Sequence, residues 1–290
     1  VSEEDLFSLP VTEQLSSTIS RRRIGRLPLV VIDHPRVRAA VTLQGAQLIA
    51  WQPAGEQPVL WLSEESAFAE GKAVRGGVPI CWPWFAGAGE PGHGFARISE
   101  WELTSHKEDD ETVSLTFTLR SSPRTRELWP HDFVLTARHT LGKECGIELQ
   151  AEGDHVSTGA LHSYFHVGSA DEVTVAGLGD RYIDKVIDDS DGRQDGELSF
   201  PDRVDRIFFH PEEVSLLKDP VLDRVVEVRH REVSDVVTWN PGVELSHRLD
   251  DMADDAYTRF VCVESARLTR QLESAEGAPA RFGVTLSVRR

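Results

Sequence analysis

Cysteine is scarce in this sequence: Cys81, Cys145 and Cys262 stand far apart among 290 residues, odd in number and without a Cys-x-x-Cys pair. That pattern argues against a disulfide framework or a zinc site and fits a reducing compartment. Long apolar runs are missing too, since none approaches the ~20 residues that a membrane span requires. The stretch Val1 to Phe7 is acidic where a signal peptide is basic, so a cytoplasmic protein with no membrane partner is expected. Positive charge is short: 31 Lys and Arg face 48 Asp and Glu, a formal net charge of -17. Such a field repels nucleic acid, which is excluded as a partner. It also repels small phosphorylated ligands, so any phosphate site must carry its own arginines. Convincing amphipathic helices are few and short, no fixed-period repeat is present, and no low-complexity linker divides the chain. One domain over residues 1–290, acting as a monomer, is expected.

What is present is alternation with period two, the mark of strands with one buried face. Val113, Leu115, Phe117 and Leu119 alternate with polar residues, and Phe133, Leu135, Ala137, His139 and Leu141 follow after the break Pro130-His131-Asp132. Ile147, Leu149 and Ala151 form a third run, and Phe282, Val284, Leu286 and Val288 a fourth that builds the C-terminus into a sheet. Turn signals such as Pro53-Ala54-Gly55, Pro91-Gly92, Asp195-Gly196 and Pro241-Gly242 separate such runs. The pattern predicts an all-β sandwich or barrel of mostly antiparallel strands with few short helices. The polar stretch Asp188–Asp195 reads as a mobile loop, and the basic cluster Arg21, Arg22, Arg23 and Arg26 as a solvated turn.

Four segments read unlike ordinary strands. In Val74-Arg75-Gly76-Gly77-Val78-Pro79-Ile80-Cys81-Trp82-Pro83-Trp84-Phe85, two glycines after an arginine let backbone approach a ligand, and the aromatics offer flat faces to a sugar; a tightly packed loop with core aromatics is the alternative. In His93-Gly94-Phe95-Ala96-Arg97, an extended chain projects histidine and arginine to one face, although a loop arginine is also a common solvated charge. His162, Tyr164 and His166 share a strand face, and their polar tips need partners or a cavity. A metal held by the two histidines is not expected: alternate-position ligands would need His-x-His or a carboxylate in the neighbourhood, the His-Glu-x-x-His pattern is absent, and no cysteine lies nearby. Glu264, after Phe260-Val261-Cys262-Val263, is either a strand end reaching solvent or a buried base with a raised pKa.

Together with Leu43-Gln44-Gly45-Ala46-Gln47, Trp61-Leu62-Ser63, Trp129-Pro130-His131-Asp132-Phe133 and Trp239-Asn240-Pro241-Gly242, these segments resemble the D-hexose-6-phosphate mutarotase branch of the aldose 1-epimerase superfamily over nearly the whole chain. The resemblance implies a galactose-mutarotase-like supersandwich with an open sugar-binding cleft, a hexose phosphate as small-molecule substrate, and neither metal nor organic cofactor. It places His162 on the family's catalytic histidine and Glu264 on its catalytic glutamate. Arg75, Arg97 and Asp205 fall on ligand-binding positions, and His93, Gln44 and Trp239 stand inside the matching motifs as further substrate contacts. Gly92 departs from the polar residue often found before His93, and His166 stands where an asparagine is the family's alternative.

Anomer exchange opens the ring, so a base must take the C1 hydroxyl proton while an acid protonates the departing ring oxygen. Glu264 is expected as base and His162 as acid, with the carboxylate raising the histidine's pKa toward an imidazolium–carboxylate pair. Arg75 and Arg97 are expected at the phosphate, where a planar fork suits the oxygens, with ring hydroxyls as the alternative ligand for either. An epimerase for unphosphorylated aldoses and a non-catalytic carbohydrate-binding sandwich are the alternatives.

Overall fold

The alternating runs become strands in the computed structural model, which describes residues 1–290. Val113–Arg120, Val134–Leu141, Cys145–Glu152 and Ala280–Arg289 are neighbours in a nine-stranded sheet. Along Val113–Arg120 every odd residue is buried and the even ones are half-buried or exposed, the one-sided burial that period two anticipates. An eight-stranded sheet and a five-stranded N-terminal meander complete the molecule. The α-helices are three and short: Glu3–Leu6, Pro123–Leu128 and Gly242–Ser246. No helix is long and apolar enough to cross a membrane.

All three sheets contribute to one core of 52 buried residues: Phe117, Leu135, Ile147 and Val284 from the nine-stranded sheet, Phe208, Val236, Val261 and Val263 from the eight-stranded sheet, and Val30 and Val41 from the meander. Sheets packed face to face bury one side of each strand, and this decides where the functional residues point. In the strand Phe260–Ser274, Val261 and Val263 face that core, so Cys262 and Glu264 project to the opposite face. Parity does the same in Val204–Phe209, where Val204 and Phe208 turn inward and Asp205 and Ile207 outward. In Asp235–Asn240, Val236 turns inward and Val237 and Trp239 outward. Antiparallel register then lines up the outward set: Asp205 lies opposite Trp239, and Trp239 opposite Cys262 with Val237 opposite Glu264.

Two polar segments differ from expectation. Asp188–Asp195 is not all loop: Ser190–Arg193 pairs with Arg181–Asp184. Gly192 lies under the Tyr182 ring, where a Cβ would come within 2.2 Å, so the pairing rests on a close approach that no apolar alternation advertises. Arg21, Arg22 and Arg23 lie within the strand Ile19–Ile24. There Arg22 Nη1 donates to the carbonyls of Phe7 and Leu9 at 2.7 and 3.0 Å, fastening the N-terminal segment to the meander.

Candidate active site

The outward faces of the eight-stranded sheet form the floor of a cavity of ≈ 700 Å³, whose walls include Arg75, Phe85, His93, His162, Lys185, Asp205, Trp239 and Glu264. Six of the eight residues expected from sequence therefore come together here. His162 enters from the end of the strand His155–Leu161, which lies beside the Glu264 strand with Leu161 opposite Ser265. Its Nε2 stands 3.3 Å from Glu264 Oε1, with side chains 9% and 1% exposed. Glu264 is thus not a strand end reaching solvent.

Burial sets the charge state of this pair, and it reverses one expectation. Desolvation, reinforced by His93, Arg97 and Arg75, pushes the His162 pKa well below its ordinary 6.5. Desolvation, with Asp205 adding, pushes Glu264 well above 4.5. The carboxylate does not lift the histidine into a free-standing imidazolium, because a low-dielectric site penalises both charges. Burial thus moves the two groups toward each other in basicity, disfavouring the doubly charged pair. Glu264 Oε2 and His162 Nδ1 are buried without a hydrogen-bond partner, a costly condition unless a ligand supplies one.

His93 is fixed in one tautomer. Its Nδ1 accepts from the Ala86 N–H at 3.1 Å, and burial, then Arg97 and Arg75, hold its pKa down to about 4. The ring is therefore neutral with its hydrogen on Nε2, a donor beside His162 at a centroid distance of 5.6 Å. The backbone at His93 is left-handed, with φ 64°, a conformation that a non-glycine residue adopts only when its surroundings demand it.

Arg75 is anchored rather than solvated. Its Nε meets Asp251 Oδ2 at 3.0 Å and its Nη1 donates to the Tyr164 hydroxyl at 3.0 Å. Burial works against its charge, but Tyr164 and Asp251 more than offset it and hold the guanidinium protonated above its ordinary range. Gly76 and Gly77 serve backbone packing, not ligand approach: a Cβ on Gly76 would lie 2.5 Å from Trp61 O and one on Gly77 2.1 Å from Leu48 O. Asp205 has its pKa raised to about 6, mainly by burial. Lys185 lines the same cavity and is salt-bridged to Asp189 at 2.5 Å.

Several expectations need correction. Gln44 does not reach the cavity; its Nε2 donates to Lys72 O and its Oε1 accepts from Gly71 N–H, each at 2.8 Å, so both ends of the amide tie down a loop. Arg97 stands off the wall, its Nη2 donating to Gly92 O at 3.1 Å, and acts on His93 and His162 through its charge. Trp82 is core, donating to Ser157 Oγ at 2.9 Å, and of the Trp-Pro-Trp-Phe cluster only Phe85 lines the cavity. His166 lines a different cavity, of ≈ 380 Å³, beyond Trp61. A cysteine does lie near His162: Tyr164 pairs opposite Cys262, and ligand atoms of His162, Cys262 and Glu264 all fall within 4.8 Å of one another. Lys185, Asp251 and Cys262 were missed as neighbours of the site because long-range register, not local spacing, brings them there.

Residues 28–286 match the family described as aldose 1-epimerase. A Salmonella typhimurium protein provisionally named a glucose-6-phosphate 1-epimerase is 51% identical over 98% of each chain. The crystal structure of a provisionally assigned mutarotase from Salmonella typhimurium superposes with a TM-score of 0.97 at 50% identity, covering 99% of each chain. At 14% identity, a galactose mutarotase related enzyme from Lactobacillus acidophilus shares the fold, with a TM-score of 0.67 over 90% of this chain and 97% of that one. The all-β architecture, the cavity-floor pair His162 and Glu264 and these likenesses agree, and the chain belongs to the aldose 1-epimerase family.

Proposed function

We propose that this chain interconverts the α and β anomers of hexose 6-phosphates, acting as a glucose-6-phosphate 1-epimerase. The observation that carries the reading is the buried His162–Glu264 pair, 3.3 Å apart, with its remaining polar atoms unpartnered on the floor of a cavity whose wall also carries two cations, Arg75 and Lys185. C1 bears both oxygens that must exchange protons, so acid and base have to be neighbours. Glu264 takes the proton of the C1 hydroxyl as the bond from C1 to the ring oxygen breaks, and His162 delivers its proton to that oxygen. The products are an open-chain aldehyde and the pair with its proton moved from histidine to glutamate. Rotation about C1–C2 presents the other carbonyl face, and closure returns both protons. Burial lowers the basicity of His162 and raises that of Glu264, which eases proton delivery by the histidine and proton uptake by the glutamate.

The phosphate is assigned to Arg75 and Lys185, since Arg97 lies off the wall; local cations are required against a net charge of -17. Neutral His93 donates from Nε2 to a sugar oxygen, Asp205 accepts from a ring hydroxyl, and Trp239 and Phe85 cover apolar sugar faces. The core shared by the three sheets supports reading residues 1–290 as one domain, and a monomer is proposed. The three cysteines are free, which suits the cytoplasm. The polarimetric relaxation of freshly dissolved α-glucose 6-phosphate tests the reading. Faster relaxation with catalytic protein supports it; a spontaneous rate leaves a binding sandwich, and equal acceleration of glucose and its 6-phosphate points to a general aldose epimerase.

A further inference from the structure

Beside the catalytic pair, buried behind the cavity wall, stands a third group that the epimerase chemistry leaves idle. Cys262 stands two residues before Glu264 on the same strand face, fully buried and free. Its sulfur, an imidazole nitrogen of His162 and a carboxylate oxygen of Glu264 all lie within 4.8 Å of one another. We propose that His162, Cys262 and Glu264 form a three-ligand site for a soft divalent cation of the Zn²⁺ class, whose binding competes with substrate and switches the enzyme off.

The donor set favours this class. Thiolate with imidazole and one carboxylate suits zinc-like ions, whereas Mg²⁺ and Ca²⁺ demand oxygen shells that three such groups cannot build. Ligand–metal distances near 2.0–2.3 Å put the atoms of a tetrahedral site about 3.5 Å apart. The His162–Glu264 contact of 3.3 Å already has that spacing, and the thiol, no more than 4.8 Å from either group, closes in by side-chain rotation. Glu264 is 1% exposed, and its Oε2 is unpartnered and free to coordinate. Coordination releases two protons to solvent, that of the thiol and the one held by the His162–Glu264 pair, and no electron is transferred. The cavity beyond His162 and Glu264 provides the entry path and room for water in the fourth position. A cation held there occupies the lone pairs that must move protons, so inhibition follows if those two residues are the acid and base; the binding itself does not depend on that assignment.

Co²⁺ titration of the reduced, metal-stripped full chain tests the site directly, because cobalt bound to a thiolate shows a near-ultraviolet charge-transfer band. The band should appear at one equivalent and be suppressed by excess glucose 6-phosphate. It should be absent in Cys262→Ser and in Cys262→Ala, either of which serves if the other does not fold. Zn²⁺ should inhibit the wild type competitively with substrate, and Cys262→Ser should raise the inhibitory concentration about tenfold or more, ~1.4 kcal/mol. Absence of the band in the wild type overturns the proposal, as does a band unchanged in both variants, which would arise at Cys81 or Cys145, or zinc inhibition unaltered by Cys262→Ser. Because the band is read without an activity assay, failure of the metal site and failure of the epimerase reading remain separate results.

Discussion

The imidazole of His162 lies flat against the phenol of Tyr164, 4.8 Å between centroids and 12° between planes, and the same phenol takes a hydrogen bond from Arg75 at 3.0 Å. One side chain therefore supports the proton-transfer group with its face and the proposed phosphate ligand with its hydroxyl. Tyr164→Phe keeps the stack and removes the anchor. A hydrogen bond to a charged group contributes about 1.5–3 kcal/mol, so KM for glucose 6-phosphate should rise about tenfold while kcat stays within about threefold. Steady-state kinetics decide; a fall in kcat at unchanged KM would place the hydroxyl in the chemistry instead.

Lys185 and Arg97 separate in the same assay. Lys185→Ala should reduce the preference for the 6-phosphate over the free sugar by about tenfold or more, measured as the ratio of kcat/KM values. Arg97→Lys retains the charge that acts on His93 and His162 and should leave that ratio nearly unchanged. A larger loss of preference in Arg97→Lys than in Lys185→Ala would return the phosphate to Arg97.

The pH dependence of kcat reports the shared proton. Burial lowers His162 and raises Glu264, so the pair takes up a second proton only well below pH 6.5 and loses its last only well above 4.5. At saturating substrate, kcat should stay flat as pH falls through 6.5. Using kcat limits interference from the phosphate monoester, which titrates near ~6. Half-loss of kcat close to pH 6.5 would mean an ordinary histidine.

Asp205 links function to stability. Its pKa is raised from 3.8 to about 6 by burial, so the folded state binds more protons than the unfolded state in between. Stability is undiminished below pH 3.8 and is lost as pH rises through about 6. Asp205→Asn should therefore gain on the order of 2 kcal/mol at pH 7 after allowance for partial exposure, a gain that vanishes near pH 3.5, while activity falls. Urea unfolding at the two pH values checks it; equal stabilisation at both would assign the effect to something other than the charge.

The strands around Phe117, Leu135, Ile147 and Val284 were legible in the sequence because each buries one face against a single core, so alternation survives as a pattern. The strand Phe260–Ser274 is buried on both faces through its first eight residues, and there composition could not say which way Glu264 points. His162 and Glu264 were found through the motifs around them; the distance between them depends on the pairing of strands about a hundred residues apart. Gln44 was misread because a buried glutamine bound to loop backbone and one bound to ligand look alike in sequence. Lys185 lies in the turn of a hairpin with no apolar rhythm, and Cys262 meets His162 only through the Tyr164 register.

The most direct test of ring opening by His162 and Glu264 is saturation-transfer NMR of the C1 proton in equilibrated glucose 6-phosphate. Wild-type protein should accelerate α–β exchange for the phosphate far more than for glucose. Glu264→Gln and His162→Asn should each cut that exchange by about 10²–10⁴-fold, and the double variant little further, since the two act as one unit. Exchange at the wild-type rate in either folded single variant would contradict the assignment.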